Sequence, residues 1–263
     1  ICAGQKQKGT LSTNSRELNC RCPHGDLRVL YSKTILFLPV STLFKYQCPM
    51  ANLTQILEKT SIKVRELACA RGGFDIFSHV SFDALPGEVI LLRGPNGAGK
   101  STCLAALYGA LTPSEGLIDI ELDDEERSSR ELIHVVGHVP GVKSTLTVRE
   151  NLQFWSDLYG GKTPVENAIE AAGLLPIADS DAAILSAGQT RRLALARLLI
   201  VDRPIWILDE PTSALDKQGE AWVGALIANH AKRGGITIAA THLDIPNVPA
   251  DNIKTVMIEG VSI

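Results

Sequence analysis

Short apolar runs alternate along the chain with longer stretches of helical spacing. Apolar residues at consecutive positions predict six strands buried on both faces, at residues 62–67, 89–92, 133–136, 205–208, 236–240 and 254–258. Apolar residues that recur every three or four positions predict five helices, at residues 101–111, 148–158, 165–172, 186–200 and 219–233. Strands that alternate with helices indicate an α/β fold around a parallel sheet with helices on both faces.

The first 60 residues lack this pattern and differ in charge from the rest. They carry a net charge of +5, whereas residues 61–263 carry −8, and four of the six cysteines lie in this first segment. We therefore predict a basic leader at 1–60 and a folded domain at 61–263. The leader is either a disordered targeting extension or translated sequence upstream of a start at Met50. The absence of an amphipathic, Arg- and Ser-rich pattern favours the second alternative.

Composition excludes several classes of protein. A chain of 263 residues, 45% of them hydrophobic, can bury a core, which excludes a disordered polymer, a collagen-like repeat and a small disulfide scaffold. The longest apolar stretch, residues 34–44, is short and interrupted by Pro39, so no membrane-spanning helix is expected. The Cys-x-Cys-Pro-His run at residues 20–24 has no second ligand pair at zinc-finger spacing, which argues against a metal site there.

A glycine-rich loop, GPNGAGKST, joins the second predicted strand to the first predicted helix. Its two outer glycines are followed by Lys and Ser at the spacing of a phosphate-binding loop. Backbone N–H groups of such a loop, and the N-terminus of the following helix, bind phosphate groups. Lys100 is expected to reach the β- and γ-phosphates, and Ser101 to bind Mg²⁺. The other residues expected at the nucleotide are Gly94, Pro95, Asn96, Gly97, Ala98, Gly99 and Thr102.

Two acidic residues follow the apolar strand in the sequence PIWILDE. Asp209 is predicted to hold Mg²⁺ through water, and Glu210 to act as the general base that orients and polarises the attacking water. The alternative is that these acids only cap the loop after the strand. The preceding phosphate-binding loop favours the catalytic interpretation.

The sequence LSAGQ, which ends at Gln189, predicts a helix start with Ser186 as its N-cap. The serine hydroxyl and several free backbone N–H groups are expected to face outward as a second anion site. Because one domain needs one γ-phosphate site, we predict that Ser186, Gly188 and Gln189 serve a nucleotide held by another copy of the chain. An ordinary capped helix is the alternative. Arg191 and Arg192 are expected to be solvated helix charges.

A histidine completes the candidate site. SALD follows the two acids directly, and His242 follows the strand at 236–240. Open α/β sheets bind ligands at the carboxyl ends of their strands. His242 is therefore predicted to contact the γ-phosphate, with an ordinary histidine of no catalytic role as the alternative.

With these motifs in this order, residues 62–263 resemble an ATP-binding cassette (ABC) nucleotide-binding domain. The resemblance implies a P-loop NTPase fold with an antiparallel β subdomain and a small helical subdomain at about 147–186. It also implies ATP and Mg²⁺ as cofactors and a head-to-tail dimer. In that dimer the phosphate-binding loop of one copy and the LSAGQ segment of the other enclose each ATP. The helical subdomain is implied to dock on a membrane partner.

A narrower resemblance comes from four segments: GHVPGVK, LSAGQ followed by RRLALARL, PIWILDEP and ALDKQG. Together they are similar to the CcmA family, the ATP-binding subunit of the haem exporter of cytochrome c maturation. This implies integral membrane permease partners that are CcmB-like and CcmC-like. It also implies a peripheral location on the cytoplasmic face of the bacterial inner membrane, or at the mitochondrial inner membrane if residues 1–60 are a transit peptide.

The sequence departs from the ABC pattern at two places. Many cassettes stack an aromatic residue on adenine, and Arg71 stands near that position here, so either Phe74 or Phe77 substitutes or no stacking occurs. The glutamine that usually senses Mg²⁺ should fall near Val139, and valine cannot bind a metal or orient water. Either His138 is a polar substitute, or Mg²⁺ sensing is weakened.

The leading hypothesis is therefore an ATP-hydrolysing transporter subunit that needs separate membrane subunits, most specifically the haem exporter. One alternative is the ATPase of another small exporter with an unrelated substrate. Another is a soluble ATPase acting on nucleic acid or ribosomes. The acidic domain has no basic stripe, so no nucleic-acid partner is expected. An inactive ATP-binding module is disfavoured by intact Lys100, Asp209, Glu210 and His242.

Overall fold

The computed structural model describes residues 60–121, 129–161 and 163–260, together with two short strands near the N-terminus. The chain divides into two units, Ile1–Pro49 and Met50–Ile263. In the first unit, β1 (Asn19–Cys20) pairs antiparallel with β2 (Leu27–Arg28). The rest of the predicted leader, including most of the Cys-x-Cys-Pro-His run, lies outside the described residues.

Five parallel strands form the main sheet of the second unit, in the order β10-β5-β9-β8-β7. Every residue of β8 and β9 is buried, as expected for inner strands covered on both faces. The predicted parallel sheet is confirmed, and the predicted strand bounds differ from the observed ones by one residue or none. The strands are β5 (Val89–Arg93), β7 (Ile133–Val136), β8 (Ile205–Asp209), β9 (Ile236–Ala240) and β10 (Ile253–Met257).

A second, antiparallel sheet has the order β4-β3-β6. Its strands are β3 (Ser61–Arg71), β4 (Phe74–Ala84) and β6 (Glu115–Glu121). The run at 62–67 predicted only part of β3. Strands β4 and β6 have no consecutive apolar run because one of their faces is largely exposed, and only the resemblance implied this sheet.

Six α-helices surround the sheets in the described residues. They are α1 (Lys100–Leu107), α2 (Ser129–Leu132), α3 (Val148–Tyr159), α4 (Val165–Ala171), α5 (Ala187–Ala196) and α6 (Lys217–Lys232). Two helices end well before their predicted last residues. Helix α1 ends four residues early, near Gly109 at a φ of 76°, and α5 passes into a 3-10 turn at Arg197–Leu199. None of the helices in the described ranges combines the length and apolarity needed to cross a bilayer.

The hydrophobic core lies on both faces of the parallel sheet. On one face, β5, β8 and β9 pack with α1 and the antiparallel sheet, and on the other with α5 and α6. A third apolar cluster lies between α3, α4 and the buried side of α5. Helix α3 begins with a capping box in which Thr147 and Glu150 exchange hydrogen bonds. Most of this cluster comes from the segment predicted as the helical subdomain.

Candidate active site

The loop from Gly94 to Thr102 leaves β5 and enters α1, as its glycine pattern predicts. The Lys100 ammonium turns back to donate to the carbonyl oxygens of Gly94 and Pro95, at 2.8 and 3.0 Å. Gly99 has a φ of 100°, and a Cβ there would lie 2.8 Å from Cδ1 of Phe77. Only glycine accepts both this conformation and this contact. The loop therefore packs closely against the buried Phe77 ring at Gly99.

A cavity of about 470 Å³ opens beside this loop at the carboxyl ends of the parallel strands. It brings together residues from β4, the loop and α1, and the segments that follow β7, β8 and β9. Every lining residue except Ile76 carries a polar side chain or belongs to the phosphate-binding loop. The lining consists of Ile76, Asn96, Gly97, Gly99, Lys100, Ser101, Thr102, His138, Asp209, Glu210 and His242.

Asp209 ends β8 and Glu210 follows it directly. The Glu210 backbone has a φ of 48°, which is uncommon for a residue other than glycine, and its N–H donates to the Ala240 carbonyl at 2.8 Å. Such a conformation costs about 1–3 kcal/mol and persists only where neighbouring bonds enforce it. The turn aims the two carboxylates into the same cavity as Lys100.

Arg191 supplies bonds that enforce this turn, and the expectation that it is a solvated helix charge is wrong. Its side chain is buried, at 5% exposure. The guanidinium donates to the carbonyl oxygens of Asp209, Glu210 (2.8 Å) and Pro211 (3.3 Å), and to that of Gly137 at 2.9 Å. Burial lowers its pKa, an effect that the nearby Asp209 and Glu210 oppose. Sequence reasoning missed this role, because carbonyl partners leave no signal in the residue types.

His242 lies between the lysine and the glutamate. Its Nε2 is 3.0 Å from Lys100 Nζ and 3.8 Å from Glu210 Oε1. Because a lysine ammonium has no acceptor, the imidazole nitrogen is the acceptor in the first contact. The structure thus brings together Lys100 and His242, predicted to contact the γ-phosphate, and Glu210, predicted to act on the attacking water.

The residues present fit ATP with Mg²⁺. Magnesium prefers hard oxygen ligands and is usually held by one or two protein groups plus substrate phosphates. The Ser101 hydroxyl and the Asp209 carboxylate line one cavity with Lys100, whose charge suits phosphate. In the described part of the chain, no three His, Cys, Asp or Glu side chains cluster as a ready metal site. Ser101 and Asp209 would hold Mg²⁺ together with phosphate oxygens of the nucleotide.

Ser186, Gly188 and Gln189 lie at the start of α5 and do not line this cavity. The Ser186 hydroxyl accepts from the Gln189 N–H at 3.2 Å, and the Gln189 side chain accepts from the Ser186 N–H at 2.9 Å. The serine is therefore the capping residue that the sequence predicts. Its hydroxyl oxygen, which we expected to be free, already accepts one hydrogen bond. Its hydroxyl hydrogen is still available to donate outward. Service to a second copy stays a prediction.

The segment after Glu210 is tied to α5. Asp216 caps α6 by accepting from the Gly219 N–H at 2.8 Å, and its carboxylate pairs with Arg192 at 3.0 Å. The Gly219 bond and then the Arg192 contact lower the Asp216 pKa. Arg192 is therefore also more than a solvated helix charge.

Comparison with known proteins agrees with this arrangement. A family model described as ABC transporter matches residues 77–213. The cytochrome c biogenesis ATP-binding export protein CcmA of Rhodopseudomonas palustris (strain BisB5) is 48% identical over 179 residues, covering 68% of this chain and 90% of the relative. CcmA of Nitrobacter winogradskyi is 49% identical over 177 residues, covering 67% and 88%.

The chain belongs to the ABC transporter family, within the group of CcmA export proteins. Solved ABC proteins share its fold. A putative ABC transporter ATP-binding protein from Pyrococcus furiosus has a TM-score of 0.63 at 24% identity, covering 74% of this chain and 96% of its own. The cassette MJ0796, solved as a dimer in a post-hydrolysis state with ADP and Pi, has a TM-score of 0.63 at 25% identity, covering 75% and 94%.

This membership confirms the predicted resemblance, the P-loop fold of the ABC type, and ATP hydrolysis coupled to transport as the class of activity. The structure also shows where the residues at the two departures from the ABC pattern lie. Phe77 cannot stack on adenine, because its ring is fully buried beneath the phosphate-binding loop. Phe74 is 66% exposed at the start of β4 and stays the aromatic candidate.

The second departure concerns the loop after β7. Val139 is 79% exposed and lines neither the nucleotide cavity nor its neighbour in the described structure. His138 lines both. The polar group that this ABC protein offers from the loop is therefore His138.

Proposed function

We propose that this chain is the ATP-binding and ATP-hydrolysing subunit of an ABC export complex that acts in cytochrome c biogenesis, with haem as the exported species. One observation carries the enzymatic part. A single cavity gathers Lys100, Ser101, Asp209, Glu210 and His242 from three segments that are far apart in sequence. The relatives named CcmA support the biological part.

The roles follow from chemistry at this cavity. Lys100 and the loop N–H groups bind the β- and γ-phosphates, while Ser101 and Asp209 hold Mg²⁺, which neutralises phosphate charge when bound. Glu210 accepts a hydrogen bond from the attacking water and takes its proton. His242 Nε2 accepts from Lys100 at 3.0 Å. When a γ-phosphate oxygen replaces it as the acceptor for Lys100, the tautomer with its proton on Nε2 donates to that phosphate.

We propose that two copies form the working ATPase. Ser186, Gly188 and Gln189 lie at a helix start whose first backbone N–H groups have no helical partner, a geometry that favours an anion. Ser186 and its neighbour Ala187 are exposed, which leaves this helix start accessible to a nucleotide on another copy. The dimeric ADP-bound cassette MJ0796 supports this arrangement by analogy.

We propose that permease subunits, CcmB-like and CcmC-like, dock beside the edge strand β7 and hold the chain at the cytoplasmic face of the membrane. A groove of about 510 Å³ lies there, lined by residues that include Trp155, Tyr159, Arg197 and Arg203. The Arg197 guanidinium lies 4.5 Å over the Trp155 ring, and that of Arg203 lies 4.2 Å over Tyr159. Guanidinium groups that stack on aromatic rings give the groove a positive charge, which is complementary to an acidic segment of a partner.

Deletion of the gene tests the biological assignment. Loss of holocytochrome c, with b-type haem proteins unaffected, is expected, together with restoration by the wild-type gene. Glu210→Gln should fail to restore it, because ATP binds but its hydrolysis lacks a general base. A deletion strain with normal c-type cytochromes would refute the cytochrome c role and leave an exporter of an unrelated substrate.

The enzymatic assignment is tested on the purified chain. Glu210→Gln is expected to bind ATP with wild-type affinity, to lose nearly all turnover and to accumulate as an ATP-bound dimer. Normal hydrolysis by this variant would contradict the role of Glu210.

The docking groove is tested by co-purification with the permease. Arg203→Glu should lose co-purification, whereas Arg233→Glu, on an exposed site at the end of α6, should keep it. Equal retention by both would contradict docking there.

A further inference from the structure

The loop that follows β7 presents one imidazole to the nucleotide cavity. His138 lines that cavity with Lys100, Ser101, Asp209 and Glu210. It also lines a neighbouring cavity of about 280 Å³, where Glu210 again forms part of the wall. Glu210 therefore has two histidines near it. His242 Nε2 lies 3.8 Å from the Glu210 carboxylate, and His138 lines the neighbouring cavity together with Glu210.

The position of this loop is fixed by Arg191. The guanidinium donates to the Gly137 carbonyl at 2.9 Å and to the Glu210 carbonyl at 2.8 Å. The buried Arg191 guanidinium thus links the backbone of Gly137, the residue before His138, to the backbone of Glu210. Because guanidinium geometry is planar and fixed, the two segments cannot shift independently without breaking these bonds.

The imidazole of His138 has no hydrogen-bond partner within the described part of the chain. A neutral imidazole offers one donor and one acceptor, which an adjacent valine cannot. The charged groups that share its cavity are Lys100, Asp209 and Glu210. This environment suits a group that bridges an anionic phosphate oxygen and a water molecule.

We propose that His138 is a further catalytic residue for ATP hydrolysis, which hydrogen-bonds the attacking water and a γ-phosphate oxygen from the β7 side of the cavity. The proposal rests on the proposed ATPase function and deepens it. In the step, the water oxygen forms a bond to the γ-phosphorus as the bond to the β-phosphate oxygen breaks. The water proton passes to Glu210, and ADP leaves. His138 takes no net proton, and its contribution is to hold the water in line.

Steady-state kinetics of the purified full chain test this role. His138→Ala should lower kcat by up to about 100-fold, because the attacking water is no longer held in line. The Kd for ATP should rise by a smaller factor, because Lys100 and the loop N–H groups still bind the phosphates. His138→Gln should recover much of the loss, because an amide also donates and accepts. Val139→Ala is the matched control on the same loop and should keep wild-type kcat and KM, since that side chain faces solvent.

A spectroscopic readout separates positioning from loop structure. In Glu210→Gln protein, addition of Mg²⁺ and ATP should shift the imidazole resonance that is lost in His138→Ala. Absence of any shift, or wild-type kcat in His138→Ala, would overturn the proposal. The proposal would also be overturned if Val139→Gln raised kcat by the same factor in the wild-type chain and in His138→Ala. If the wild-type chain itself neither binds nor hydrolyses ATP, the proposed function fails, which is a distinguishable outcome.

Discussion

His230 is a buried imidazole that the fold holds in its neutral form, and this makes the stability of the domain depend on pH. The residue lies on α6, fully buried, with its ring stacked on Trp206 at 3.8 Å between centroids. Burial lowers its pKa from 6.5 to about 3, and the nearby Arg233 adds to the effect. His134 on β7 is a second case, with its pKa lowered to about 3 by burial and by Arg203 and Arg197.

The sign and size of the effect follow from proton linkage. Between pH 6.5 and 3 the unfolded chain binds a proton at each of these histidines and the folded chain does not, so stability falls as the pH falls. From pH 7 to pH 5 the loss is about 2 kcal/mol for each histidine, which is a large fraction of the stability of a typical domain.

His230→Leu should halve the pH-dependent part, because leucine keeps an apolar side chain of similar volume against Trp206 and has no proton to bind. Urea unfolding followed by circular dichroism at pH 7, 6 and 5 measures the free energy of unfolding. The expected loss over this range is about 4 kcal/mol for wild type and about 2 kcal/mol for the variant.

His79→Gln, on the exposed side of β4, is the control and should keep the wild-type dependence. A His230→Leu protein that loses as much stability between pH 7 and pH 5 as wild type would refute the reasoning. The neutral, buried histidine would then not be the group that binds the extra proton on unfolding.

Three further changes test the site. Arg191→Met should lower the free energy of unfolding by at least about 1–3 kcal/mol, because it leaves buried carbonyl oxygens without their donor; an unchanged urea midpoint would contradict this. Lys100→Ala should weaken ATP binding at least about tenfold in a fluorescent-nucleotide titration, since a charged hydrogen bond contributes roughly 1.5–3 kcal/mol; wild-type affinity would argue against its phosphate contact. Ser186→Arg should leave ATP binding to one chain intact but prevent ATP-dependent dimers in light scattering, and dimers of normal mass would exclude the shared site.

Much of the site followed from local sequence. The loop around Lys100, the acids after β8 and His242 after β9 each come directly after an apolar run, and strand order along one sheet edge brings them together. The cavity that they share was therefore expected. Their assembly needs only the rule that parallel strands end at the same edge.

Other features depended on contacts between distant segments. Arg191 has the spacing of a surface residue, and its burial follows from four carbonyl groups contributed by two loops. Which of His138 and Val139 faces the nucleotide depends on the backbone path after Gly137, which adjacent residue types do not encode. Phe77 is excluded from adenine because β4 packs it beneath Gly99.

The sequence by itself determined the parallel sheet, the phosphate-binding loop and the family, because apolar runs and glycine spacing are local properties of the chain. Only the tertiary structure decided the role of Arg191, the direction of His138 and the neutral state of His230. Each of these depends on partners far away in the chain, through hydrogen bonds to backbone carbonyls or through burial. Such partners become neighbours only when the sheets and helices have packed.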